Sequence, residues 1–150
     1  MTEKIKVVIT DNQKTVKVPK GLRMLIRRCC LATLRLQGYQ GSAEIGVTFT
    51  DNEGIAACNE RLGENRTAYA FSVPDHRDGV LGAVYISLER AEELARMYAT
   101  SLQREAVYMT VSGVLGILGC DADTLVTKET EEKIMYEMGF PLSTAYALSR

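Results

Sequence analysis

Apolar and polar residues alternate most regularly in AEIGVTFT, residues 43–50, where every second residue is apolar, as on one face of a β-strand. The runs KIKVVIT (4–10) and KTVKV (14–18) also predict strands, and the turn DNQ between them predicts that they are joined as a pair. A short strand is predicted in TAYAFSVP, where it ends at Pro74. VLGAVYIS (80–87) is apolar almost throughout, which is typical of a strand buried on both faces.

A helical period marks the segment PKGLRMLIRRCCLATLRLQG, residues 19–38. The residues expected on its apolar face are Leu22, Leu25, Ile26, Cys29, Thr33 and Leu36. Lys20, Arg23 and Arg27 lie on the opposite face, and Gly38 is the expected end of the helix.

Four further helices are predicted in EGIAACNERL, LERAEELARMYA, LQREAVYMTVSGVLGIL and KETEEKIMYEMG. The residues that can cap the first three are Asp51 or Asn52, Ser87 and Ser101. Gly119 closes the third of these helices and Gly139 closes the last. Because strands and helices are interleaved, with no repeat or linker, the sequence predicts one α/β or mixed α+β domain over residues 1–150.

Composition narrows the class of protein. The chain is 46% hydrophobic and 25% charged, which is ordinary for a globular domain. No run approaches the roughly 20 apolar residues of a membrane span, and MTEKIKVVIT has no signal-peptide core. The four cysteines, Cys29, Cys30, Cys58 and Cys120, form no C-x-x-C pair, so we expect reduced and mostly buried thiols. These features predict a cytoplasmic protein without a membrane partner.

Positive charge is concentrated at the start of the chain. Residues 1–40 carry nine lysines and arginines against two acidic residues, a net charge of +7, whereas the remainder carries a net charge of −8. Arg23, Arg27 and Arg28 are the strongest candidates for contacts with RNA. The sequence leaves an alternative open, a solvated cationic helix face that acidic helices balance elsewhere.

Three stretches carry a resemblance: FTDNEGIAACNERL, TAYAFSVP and the long segment LGAVYISLERAEELARMYATSLQREAVYMTVSGVLGILGCDAD. The YbeY-type endoribonucleases, which act in ribosomal RNA maturation, have in this order D-x-x-x-I-x-x-L-N, P-T-D-V-L-S-F-P, L-G-D-I-x-I-S, G-H-S-x-x-R-E and H-G-x-L-H-L-x-G-Y-D-H. The chain resembles that family over about residues 43–140. The resemblance implies a zincin-like fold, a mixed and mostly parallel sheet of about four strands with helices packed on it.

The last of these family motifs implies a catalytic zinc. Two of its histidines lie one turn apart on a helix, the third returns after a glycine turn, and the open fourth position holds the water that the metal activates. In this chain the three positions hold Ser112, Gly116 and Ala122. None of these residues has an imidazole, so we expect no metal ligand, no bound cofactor and no catalytic residue.

Other polar positions of the family motifs also differ in this chain. Tyr69 and Ala83 occupy positions where the motifs have Asp, and Thr100 occupies the position of the His in G-H-S. The residues that match the motifs are mostly those of turns, helix caps and packing.

Three functions remain open from the sequence. The first is a zinc-dependent endoribonuclease specific for single-stranded RNA, as in the family; the missing ligands argue against it. The second is a metal-free relative that binds RNA or the ribosome through its basic N-terminal third. The third is a natural or designed protein that keeps only the fold. We expect a YbeY-like protein without metal-dependent catalysis, with RNA or the ribosome as partner and no DNA.

Overall fold

A computed structural model of the chain describes residues 4–62, 68–72, 79–121 and 123–140. Within these residues lie four strands and five helices. In chain order they are β1 (Ile5–Asp11), α1 (Leu22–Leu36), β2 (Ala43–Thr50), α2 (Asn52–Leu62), β3 (Ala68–Ser72), β4 (Val80–Ser87), α3 (Leu88–Tyr98), α4 (Leu102–Ile117) and α5 (Leu125–Glu137).

The strands form one sheet in the order β1-β2-β4-β3. β1 is parallel to β2 and β2 is parallel to β4, whereas β3 is an antiparallel edge strand on β4. Three parallel strands with one antiparallel edge confirm the predicted fold class, a mixed and mostly parallel sheet with helices packed on it.

Residues 14–18 are not a strand, so the predicted pairing across the turn DNQ is wrong. β1 pairs with β2 instead. The side chain of Gln13 explains the difference, because its Nε2 donates to the Val16 carbonyl at 2.7 Å and its Oε1 accepts from the Val16 N–H at 2.9 Å. Backbone groups that a hairpin would have paired are therefore satisfied locally, and Val16 and Val18 pack half-buried against the core.

Polar caps start the helices where the sequence predicted them. Asp51 Oδ1 accepts from the Gly54 N–H at 2.8 Å, Ser87 Oγ from Arg90 at 3.0 Å and Ser101 Oγ from Arg104 at 3.1 Å. These bonds satisfy N–H groups that have no partner inside the helix. α3 is also tied to α2, because the Asn52 amide donates to Glu93 at 2.7 Å. This hydrogen bond lowers the pKa of the Glu93 carboxyl.

Helix α4 lies at the centre of the core. Eleven of its sixteen residues are buried, and it contacts β3, β4, α1, α3 and α5. Gly113 allows α4 to pack tightly on the sheet, since a Cβ at this position would lie 2.5 Å from Val84 Cγ1 of β4. α1 packs beside α4, and α5 packs on both helices. Across the described ranges, every helix is too short or too polar to cross a membrane.

Candidate functional site

One face of α4 carries Tyr108, Ser112 and Gly116 at intervals of four residues. Ser112 and Gly116 are the first two ligand positions of the family motif. Residues at this spacing lie one above another on a helix. Ser101 caps the start of α4, and Gly119, at φ +89°, ends it with a turn that only glycine adopts easily. The position of this face is therefore fixed from both ends of the helix.

Ser112 is held by a carboxylate from the next helix. Its Oγ donates to Glu131 Oε2 of α5 at 2.6 Å, and the Tyr108 hydroxyl donates to Glu131 Oε1 at 2.8 Å. Lys128 Nζ lies 3.6 Å from the same Oε1. We call Tyr108, Ser112 and Glu131 the α4–α5 polar cluster.

Glu131 is 1% exposed, so its carboxylate has left water almost completely. A buried carboxylate is costly unless hydrogen bonds and opposite charge compensate for the lost solvation. The two hydroxyls and the ammonium of Lys128 supply this compensation. The polar cluster therefore fixes α5 against the ligand-bearing face of α4.

Glu131 does not stand out in the sequence, because α5 carries several other charged residues beside it. A signal was nevertheless present: Thr127, Glu131, Ile134 and Met138 recur at intervals of three and four residues, and all four are buried. A glutamate on the apolar line of a helix is expected to have specific partners.

Gly116 differs from Gly113 in its surroundings. It is exposed, and a Cβ built on it would meet nothing within 4 Å. Packing therefore gives no reason for glycine here, although glycine in a helix costs about 1 kcal/mol relative to alanine. The position has room for a larger side chain. Ala122, the third position, lies outside the described residues.

The residues at these positions do not fit a three-imidazole zinc centre. The Ser112 hydroxyl donates a hydrogen bond to Glu131, and Gly116 has no side chain that could coordinate a metal. In the part of the chain that the structure describes, no three His, Cys, Asp or Glu side chains are grouped as a metal site.

The remaining motif positions have other contacts. Thr100 donates from its Oγ1 to Glu105 Oε2 at 2.7 Å, and Glu105 is fully buried. Ala83 is half-buried on β4, opposite Gly46 of β2. The side chain of Tyr69 lies outside the described residues, although its backbone pairs with Tyr85 in the sheet.

The predicted RNA-contact residues Arg23, Arg27 and Arg28 are all exposed on α1. They lie away from the buried face of α1, so the structure does not bring them to the α4 site. α1 contains no acidic residue, and no salt bridge to these arginines exists within the described ranges. The structure therefore places all three on the exposed side of α1, apart from the α4 site.

The cysteines of α1 lie on its buried face. Burial raises the pKa of the Cys29 thiol well above its usual value, and the thiol donates to the Ile26 carbonyl at 3.2 Å. Cys29, Cys30 and Cys120 are free thiols. Cys29 is thus a packed, protonated residue and not a nucleophile. Cys58 lies in α2, and its side chain is outside the part of the chain that the structure describes.

Comparison with known proteins agrees with this architecture. The family model Endoribonuclease YbeY matches residues 8–141. The Endoribonuclease YbeY of Caldanaerobacter subterraneus subsp. tengcongensis is 33% identical over 153 residues, covering 88% of this chain and 97% of the relative. That of Carboxydothermus hydrogenoformans is 34% identical over 139 residues, covering 87% and 96%. A solution structure of a Thermotoga maritima protein has the same fold, with a TM-score of 0.55 at 19% identity over 88% of each chain. The chain belongs to the YbeY endoribonuclease family.

Proposed function

We propose that this protein is a member of the YbeY family that binds RNA and lacks metal-dependent cleavage. The contact between Ser112 and Glu131 carries the proposal. Ser112 occupies the first ligand position of the family motif, and its hydroxyl donates a hydrogen bond to Glu131 Oε2 of the same chain, with 2.6 Å between the two oxygens. The second position, Gly116, has no side chain that could bind a metal.

The chemistry of the donor set supports the loss of cleavage. A catalytic zinc needs three protein ligands and one open position, and it lowers the pKa of the bound water that attacks the phosphorus. Ser112 and Gly116 supply no nitrogen ligand. Glu131 uses both of its carboxylate oxygens for hydrogen bonds inside the protein. In our proposal, these residues hold two helices together and take no part in hydrolysis.

RNA remains the proposed partner, either free or within the ribosome. The name of the relatives, Endoribonuclease YbeY, makes RNA their substrate. The exposed Arg23, Arg27 and Arg28 on α1 supply positive charge that could bind phosphates without any metal. We place the protein in the cytoplasm, where Cys29 and Cys30 would stay reduced.

Metal content and cleavage test the first half of the proposal. The protein purified without chelator should contain much less than one zinc per chain. It should leave a single-stranded ribosomal RNA fragment intact under conditions in which the Carboxydothermus hydrogenoformans relative, prepared in parallel, cleaves it. Stoichiometric zinc together with cleavage that a chelator abolishes would contradict the proposal.

Salt dependence tests the second half. Fluorescence anisotropy with a labelled RNA should detect binding that weakens steeply between about 50 and about 200 mM salt, because bound phosphates release counterions. Replacing Arg23, Arg27 and Arg28 together by Glu should remove most of the binding. A control that replaces the exposed Lys14, Arg96 and Lys133 by Glu changes the net charge equally and should retain more of it. Absence of binding at low salt would favour a protein that keeps only the fold.

A further inference from the structure

Two apolar side chains lie along the exposed face of α1. Met24 is 67% exposed and Leu31 is 38% exposed. They are seven residues apart, or nearly two helical turns, so they lie on one line along the helix. We call Met24 and Leu31 the crest of α1.

Arginines flank this crest on both sides. With about 100° of rotation per residue, Arg23 and Arg27 lie about 50–90° to one side of the crest, and Arg28 and Arg35 lie about 30–50° to the other. All four are exposed. The four positions span about 18 Å along the helix at 1.5 Å per residue. α1 therefore presents two arginine rows separated by an apolar line.

This pattern fits a ligand with two phosphate backbones. A single strand has one backbone, and its bases are bound by stacking on aromatic side chains, of which α1 has none. B-form DNA accepts a helix in its major groove, where polar side chains read the base edges, but the crest has no hydrogen-bonding group. A-form RNA has a wide, shallow minor groove lined by riboses, with a backbone on either side.

We propose that α1 binds double-stranded RNA by lying along its minor groove, with one arginine row on each phosphate backbone and the crest against the riboses. This inference rests on the proposed RNA binding and specifies the kind of RNA. It predicts recognition by shape and charge rather than by base sequence.

The test compares three ligands of one sequence by fluorescence anisotropy: an RNA duplex of about 16 base pairs, one of its strands alone and the matching DNA duplex. The RNA duplex should bind at least about tenfold tighter than either of the others. If four phosphates are neutralised, the logarithm of its binding constant should fall with log salt at a slope of about −3 to −4.

Paired variants test the two rows and the crest. Replacing Arg23 and Arg27 by Gln should make the salt slope about two units shallower, and replacing Arg28 and Arg35 by Gln should have the same effect. Met24→Gln with Leu31→Gln should reduce the preference for the RNA duplex over DNA without changing the slope. Lys14→Gln with Lys133→Gln is the control of equal charge. Gln has nearly the helix propensity of Arg, Met and Leu, and circular dichroism verifies folding.

Each contrary result has a distinct meaning. Equal or tighter binding of the single strand would overturn the duplex inference and leave the proposed RNA binding in place. Equal binding of the RNA and DNA duplexes would overturn recognition of the minor groove. Dependence on one arginine row alone would overturn contact with two backbones. No binding of any RNA at low salt would refute the proposed function itself.

Discussion

Gly113 and Gly116 lie one turn apart on α4 and illustrate two different reasons for a glycine in a helix. Gly113 is buried against β4, and a Cβ there would overlap the Val84 side chain at 2.5 Å. Gly116 is exposed with no neighbour that a Cβ would meet. The sequence alone places Gly116 at a family ligand position within a predicted helix. It could not separate the two glycines, because the difference depends on Val84 of β4, which is distant from Gly113 in the sequence.

Alanine at each glycine should have opposite effects on stability. Gly116→Ala should raise the free energy of unfolding by about 1 kcal/mol, because alanine has the better helix propensity and nothing obstructs its methyl group. Gly113→Ala should lower it by about 1–3 kcal/mol, because the methyl group forces Val84 or α4 to move. Urea denaturation monitored by circular dichroism measures both variants. A destabilised Gly116→Ala protein would mean that this face of α4 is covered.

At the scale of elements, features that depend on neighbouring residues were predicted from the sequence, whereas features that depend on long-range contacts were missed. The helix caps at Asp51, Ser87 and Ser101 were found because a cap and its N–H partner lie three residues apart. The prediction of a strand at 14–18 was wrong, because the β-like composition of this segment does not reveal that the Gln13 side chain bonds the backbone of Val16. Glu131 was missed because its partners Tyr108 and Ser112 lie on another helix.

The contact between α4 and α5 should depend on the buried carboxylate. Glu131→Ala should lower the free energy of unfolding by about 2–3 kcal/mol, because the buried Tyr108 hydroxyl and the Ser112 hydroxyl lose their acceptor. Glu132→Ala, at the neighbouring exposed position, should change it by less than about 0.5 kcal/mol. Ser112→Ala should cost less in the Glu131→Ala protein than in the parent. Equal effects at 131 and 132 would show that the polar cluster does not hold α5.

For the whole molecule, the described ligand positions Ser112 and Gly116 lie outside the hydrophobic core. The core is formed by α1, α4 and the sheet, with buried residues of α3 and α5 beside them, and the inner side chains of the sheet, such as Ile45, Phe49 and Ile86, are fully buried. Within the described residues, these core contacts are made without Ser112 and Gly116. The sequence predicted this architecture through its motifs, which match in packing and turn residues even where the family's polar residues are absent.

Restoring three histidines tests whether the ligand positions keep the family's geometry. In the variant Ser112→His, Gly116→His, Ala122→His, the first two rings would lie on one face of α4, and position 116 is open. Glu131 would have to move away from the ring at position 112, since its carboxylate contacts the present Ser112 hydroxyl. Bound zinc would stabilise the folded state, so the Tm should rise with added zinc in this variant and stay constant in the parent.

The matched control is Ser112→His with Gly116→His, which has two ligands and should respond less to zinc. Cleavage need not return, because Tyr69, Ala83 and Thr100 also differ from the motifs and surrounding partners affect a metal site. A triple variant that folds like the parent and gains no zinc affinity would show that the three positions do not converge.

The strand order has a consequence for synthesis on the ribosome. β4, residues Val80–Ser87, lies between β2 and β3, although both of those strands precede it in the chain. A nascent chain must therefore expose β3 and one edge of β2 until the residues of β4 have emerged. Open strand edges are where nascent chains associate wrongly. The emergence of β4 is thus the event that completes the sheet and ends this vulnerable interval.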